Sequence, residues 1–170
     1  IKTLPQLNFD NTLPIYNRYD EIKDSLNKHQ VLVICGETGS GKTTQLPKML
    51  WEIGCGRQRR IALTQPRRLA AVSVAARLRD ECVVEEPIIA HAVRFDDHSD
   101  QDTVIRVCTD GLLLQEAARD RDLLAYDAVI VDEAHERSVN IDVLLGLLAQ
   151  VVQGRPEFRV VVTSATIAAD

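Results

Sequence analysis

The apolar run Val31-Leu32-Val33-Ile34-Cys35 leads directly into Gly36-Glu37-Thr38-Gly39-Ser40-Gly41-Lys42-Thr43, and a helix-forming stretch follows from Lys42 to about Ile53. A buried strand that turns through glycines into a helix is a narrow structural instruction. Glycines keep side chains away, so successive backbone N–H groups can face one concavity. A helix starting near Lys42 adds its positive dipole end to the same concavity. The result suits the oxygens of a phosphate chain. In that frame the segment Gly36, Glu37, Thr38, Gly39, Ser40 and Gly41 surrounds the phosphates, with Thr44 at its far end. Lys42 reaches the β- and γ-phosphates and Thr43 places its hydroxyl on Mg²⁺. The expected ligands are ATP or another nucleoside triphosphate, and Mg²⁺. The plain alternative is a glycine-rich turn that only caps a helix.

Short apolar runs then alternate with helical stretches. Ile61–Thr64, Ile88–Phe95, Thr103–Cys108, Tyr126–Val131 and Arg159–Thr163 read as strands. Apolar residues from Ile15 to Leu26 recur at helical spacing, and Leu69–Asp80, Leu112–Ala118 and Asn140–Val152 read as helices, with Pro66 at a first helical position. Strands separated by helices predict an α/β domain: a mostly parallel sheet with helices on both faces. At 170 residues the chain suits one such domain, preceded by an extended segment over residues 1–14 that contains Pro5 and Pro14.

Bulk properties exclude several function classes. The net charge of −5 rules out a global positive field, so any nucleic acid must be met by local arginines and backbone donors. No stretch approaches the ~18 apolar residues of a membrane span, so no membrane partner is expected. Cys35, Cys55, Cys82 and Cys108 are widely spaced, which predicts buried reduced thiols and a cytoplasmic, or in a eukaryote nuclear, protein.

A second chemical element lies at the end of the apolar strand Ala128–Val131: Asp132-Glu133-Ala134-His135. Ligands of open parallel sheets collect at the carboxyl ends of strands. Asp132 is placed to hold Mg²⁺, and Glu133 to orient and deprotonate an attacking water. Alternatively, both carboxylates merely favour the start of a helix. His135 has three open roles: a polar relay beside the γ-phosphate, a structural histidine, or a metal ligand without partners at zinc spacing. Arg67 and Arg68 follow Pro66 at a helix start, where the dipole disfavours cations, so an anion docking there accounts for them. Asp96, Asp97, Asp100 and Asp102 read as a solvated acidic loop.

In order, the chain carries Gly36–Thr43, Thr64-Gln65-Pro66-Arg67-Arg68, Thr109-Asp110-Gly111, Asp132-Glu133-Ala134-His135 and Ser164-Ala165-Thr166. This set resembles the first RecA-like domain of the DEAH-box RNA helicases of superfamily two, bacterial-type members above all, over about residues 12–170. The resemblance implies a RecA-like nucleotide-binding domain over 15–170, with the second RecA-like domain absent from this chain. It implies ATP hydrolysis coupled to movement on RNA, with Lys42, Asp132, Glu133 and His135 as the catalytic set. Ser164 and Thr166 would couple hydrolysis to domain movement. Thr64 to Arg68 and Thr109, Asp110 and Gly111 would touch the RNA backbone, although Thr109 and Asp110 also suit a helix cap. Arg94 matches a turn that touches the RNA strand, and Arg77 an arginine that stacks on the nucleotide base. Implied partners are RNA, the second RecA-like domain, and room for an activator protein. Rival classes are a DNA-directed translocase of the same superfamily and a non-motor RNA-binding scaffold.

Overall fold

The computed structural model describes Pro5 and residues 7–165. The strands are β1 (Val31–Cys35), β2 (Arg60–Gln65), β3 (Ile89–Val93), β4 (Asp96–Asp97), β5 (Ile105–Thr109), β6 (Tyr126–Val131) and β7 (Arg159–Ser164). The helices are α1 (Tyr19–Lys28), α2 (Lys42–Glu52), α3 (Arg68–Cys82), α4 (Asp110–Arg119) and α5 (Val139–Gly154), with 3₁₀ turns at Pro14–Arg18 and Ala134–Glu136. The strands form one sheet in the order β1-β7-β6-β2-β5-β3-β4. Every pairing is parallel except β3 with β4.

The period of two along each strand divides the core between the two faces. Ile61, Leu63, Ala128 and Ile130 turn to the side covered by α1, α2 and α3, where Leu26, Trp51 and Leu78 are buried. Ala62, Val129 and Val131 turn to the opposite side, where Leu113 of α4 and Leu144 and Leu148 of α5 cover them. Both faces of the central strands β2, β5 and β6 are therefore dry, as the alternation of strands and helices predicts.

Three expectations need correction. The strand before the glycine loop is only half buried. Among the described residues only β7 pairs with β1, so β1 is an edge strand, with Val31 47% and Val33 59% exposed. Cys35, expected inside, is exposed for the same reason, whereas Cys108 in β5 is fully buried. Second, Pro66 lies outside α3: Arg67, with extended backbone, is the N-cap and Arg68 the first helical residue. Third, Asp96 and Asp97 are not loop residues, although their side chains are 43% and 48% exposed. They form β4 against β3, and Asp97 binds the buried Arg106 of β5 at 2.8 Å.

Candidate functional site

Because β1, β2, β3, β5, β6 and β7 run in parallel, their carboxyl ends share one edge of the sheet. The glycine loop leaves β1 at that edge. Its first N–H, from Gly36, donates to the Ser164 carbonyl at the end of β7 at 3.1 Å. Gly41 caps α2 at φ +96°, and a Cβ there would meet Leu13 at 2.8 Å, so both backbone and packing require glycine. The loop is also tied from outside by the Ile15 N–H, which donates to the Ser40 carbonyl at 3.0 Å. Lys42 folds back over this loop. Its ammonium donates to the Gly36 carbonyl at 2.5 Å, the Glu37 carbonyl at 3.0 Å and Ser40 Oγ at 3.2 Å.

Asp132 stands opposite, 1% exposed. The Thr43 hydroxyl donates to its Oδ2 at 2.8 Å, Gln65 Nε2 donates to the same oxygen at 2.6 Å, and the Thr163 hydroxyl donates to Oδ1. Thr163 and Gln65 were not singled out from the sequence as partners of Asp132. Each sits at or next to the end of a strand, β7 and β2, that borders β6 in the sheet order, and a polar residue at such a place is the only sequence signal for them.

Glu133 follows at φ +59°, a left-handed conformation that turns the chain sharply off β6. Burial first, and the charge of Asp132 second, push its carboxyl above the usual carboxylate range, against smaller pulls from His135 and Lys42. His135 Nε2 lies 3.1 Å from Glu133 Oε2, and the Ala165 N–H donates to His135 Nδ1 at 2.9 Å. A backbone N–H can only donate, so Nδ1 is the bare nitrogen and the ring proton sits on Nε2, facing Glu133. The imidazole thus joins the acidic strand end to the segment after β7. Ser164 donates to the Ala165 carbonyl at 2.9 Å. Thr166 lies outside the described residues.

A cleft of about 360 Å³ opens between these groups, bounded by residues 38–44, Gln65, Asp132, Glu133 and Arg77. Arg77 is therefore beside the cleft, paired with Glu81 at 3.2 Å. A Cβ on Gly36 would stand 3.4 Å from Ser40 Oγ and 3.6 Å from Lys42 Nζ, filling space that the loop keeps open. The hydroxyl of Thr43 beside the carboxylate of Asp132 is a hard oxygen donor pair, which fits Mg²⁺.

The residues expected to meet RNA divide into three groups. Arg67 and Arg68 are exposed at the start of α3, with Arg67 3.3 Å from Glu136. Arg94, Thr109 and Gly111 line one groove of about 550 Å³, together with Leu112, Gln115 and Asn140. Thr64, Gln65 and Asp110 are buried, at 0%, 3% and 3% exposed. They point inward because β2 is a central strand and α4 starts directly from β5. Burial holds the Asp110 carboxyl above its ordinary range, opposed by a hydrogen bond with Thr64.

A mostly parallel sheet with a glycine loop after its first strand and an acidic strand end facing that loop defines the RecA-like class of P-loop domain. The family model of the DEAD/DEAH box helicases matches residues 19–170, and the chain belongs to that family. Over 164 residues it is 47% identical to the ATP-dependent RNA helicase HrpA of Escherichia coli strain K12, covering 96% of this chain and 13% of that protein. Over 161 residues it is 48% identical to an ATP-dependent RNA helicase HrpA homolog of Haemophilus influenzae, covering 94% of this chain and 12% of that one. The chain thus spans 12–13% of the length of these curated relatives. No helix among the described residues is long and apolar enough to cross a membrane.

Proposed function

We propose that this chain is the nucleotide-hydrolysing half of an ATP-dependent RNA helicase motor. The observation that carries this reading is the 2.8 Å hydrogen bond from Thr43 to Asp132, which joins the glycine loop to the acidic strand end across the cleft. Lys42 rests on carbonyl oxygens, a weak substitute for phosphate oxygens, and a triphosphate in the loop draws its ammonium outward. Mg²⁺ held by Thr43 and Asp132 supplies positive charge to the phosphate oxygens. Glu133 accepts the proton of a water aimed at the γ-phosphate, and its raised pKa brings it closer to that task. His135, with its proton on Nε2, holds the Glu133 carboxylate in place. Through Ala165 it makes the segment after β7 sensitive to what occupies the cleft, the coupling role assigned to Ser164 and Thr166. Arg77 flanks the base end of the nucleotide.

RNA follows the same sheet edge, met by Arg67 and Arg68 and by the groove of Arg94, Thr109 and Gly111. A second RecA-like domain of the same parent chain closes the nucleotide cleft. The test is Glu133→Gln in the intact protein. Nucleotide binding should persist while RNA-stimulated turnover falls by roughly 10²–10⁴-fold, the range of general-base contributions. Undiminished turnover rejects the assignment, and equal stimulation by single-stranded DNA rejects RNA as the track.

A further inference from the structure

The opposite end of the sheet holds a cluster that nucleotide chemistry does not use. In the β3–β4 hairpin Ala92 faces Asp97 and Val93 faces Asp96. The register continues one step further, with the His98 N–H donating to the His91 carbonyl at 3.1 Å. Residues two apart on a strand share a face, and cross-strand and diagonal neighbours on that face reach one another. His91, Asp96 and His98 must therefore project together. His91 Nε2 lies 3.1 Å from Asp96 Oδ2, His98 Nε2 lies 2.9 Å from Asp96 Oδ1, and the two rings are 4.3 Å apart. One ligand-capable atom from each of the three residues falls within 4.8 Å of the others. The second nitrogen of His98 is 3.3 Å from Glu86 Oε2, and Glu86 is itself held by Arg79 at 3.1 Å.

We propose that His91, Asp96 and His98 bind a divalent transition metal of the zinc class, with Glu86 orienting His98. Two imidazoles and a carboxylate suit Zn²⁺ and its first-row neighbours, whereas Mg²⁺ prefers an all-oxygen shell. Glu86 accepts the Nδ1 proton of His98 and so leaves the Nε2 lone pair for the metal, the usual carboxylate support behind a metal-bound histidine. Without metal, the two imidazole Nε2 atoms share the Asp96 carboxylate, which keeps the three side chains grouped. Tetrahedral bonds of about 2.0–2.2 Å set ligand atoms roughly 3.4 Å apart, whereas the three atoms here lie within 4.8 Å of one another. His91 is seated at 6% exposed, while the side chains of His98 and Asp96 are 41% and 43% exposed and free to close that gap. Their exposure also leaves a fourth position to water. The metal clamps the base of the turn that presents Arg94 and Phe95. Phe95 is 93% exposed at φ +66°, with the Arg94 guanidinium 4.9 Å from its ring centre.

The test titrates Co²⁺ into the nucleotide-free intact protein in excess Mg²⁺ and follows visible absorption, then displaces it with Zn²⁺. The wild type should give an absorption band that Zn²⁺ removes. His98→Ala, at an exposed position whose loss spares the core, should abolish that component, as should Asp96→Asn. Glu86→Gln should weaken it about 10–100-fold, the usual cost of losing outer-shell support. A wild type without the band, or one whose band survives unchanged in both His98→Ala and Asp96→Asn, overturns the proposal. Either result leaves the nucleotide site untouched, because none of these residues lines its cleft.

Discussion

At the β1–β7–β6 end of the sheet, charges are held by neutral groups. Asp132 accepts from two hydroxyls and an amide, and Lys42 donates to two carbonyls and a hydroxyl. Around Arg106 of β5, charges are held by each other. Arg106, 4% exposed, donates to Asp97, Glu116 and the Tyr126 hydroxyl. A buried charge must be compensated in either place. Compensation by dipoles keeps the charge itself uncancelled and ready for a ligand of opposite sign. Compensation by a counter-ion leaves nothing to offer, and fixes geometry instead. Buried polar groups of both kinds occur in this one sheet, and the identity of the partner separates a working charge from a structural one.

The most direct way to break this contrast is to remove one cation from each end. Lys42→Met should lower RNA-stimulated turnover by about 10²–10³-fold, the cost of losing one preorganised charge-stabilising donor. Its stability should barely change, because the carbonyls it leaves belong to half-buried Gly36 and exposed Glu37, within reach of water. Arg106→Met should do the reverse. Breaking a buried ion pair costs about 3–5 kcal/mol, and the lower end applies because the Asp97 and Glu116 side chains are 48% and 31% exposed and keep a path to water. Urea unfolding midpoints read that loss, and turnover per folded molecule should remain near wild type. If Lys42→Met destabilises and Arg106→Met inactivates without unfolding, the distinction fails.

A smaller effect sharpens the comparison at the third charged region, the start of α3. Arg67 has a partner in Glu136 at 3.3 Å, whereas Arg68 is exposed at the first helical position. Arg68→Ala should weaken RNA binding uniformly across sequences and reduce the slope of log affinity against log salt by about 1. An unchanged slope would assign Arg68 to solvent.

What could be read in the chain before its fold follows the same division. Gly36–Thr43 and Asp132–Glu133 were legible because each is a local signal: glycines between a strand and a helix, and acids at the end of an apolar run. The order of strands is not local. Val31–Cys35 reads as a buried run, yet its place at the sheet edge exposes Val33 and Cys35. Gln65 lies 67 residues from Asp132, and Thr163 lies 31 away, so only the neighbouring of β2, β6 and β7 reveals them as its donors. Asp96 and Asp97 carry the composition of a solvated loop. Their role depends on the buried Arg106 and on His91 and His98, whose proximity comes from a hairpin register. Thr64 and Asp110 carry a motif's spelling but turn inward, because motif spacing does not report which face of a central strand or helix start meets water.

The smallest predicted effect concerns stability at the cleft itself. Glu133 has a folded-state pKa raised above the ordinary 4.5, by burial first and then by the Asp132 charge. A carboxyl with a raised folded pKa contributes its stability in full below the unfolded value, and that contribution is lost as pH rises through the folded value. Wherever it is ionised, Glu133 is therefore a local liability to the fold. Glutamine cannot ionise, and its carbonyl oxygen still accepts from His135 Nε2–H. In the absence of nucleotide, Glu133→Gln should unfold at a slightly higher temperature than wild type at pH 7. The difference should shrink as pH falls toward 4.5 and vanish below it. The gain stays small because the Glu133 side chain is 35% exposed and water screens much of the repulsion. A variant less stable than wild type at pH 7, or a difference independent of pH, would show that Asp132 and Glu133 do not oppose one another, and that the cleft holds no uncancelled charge.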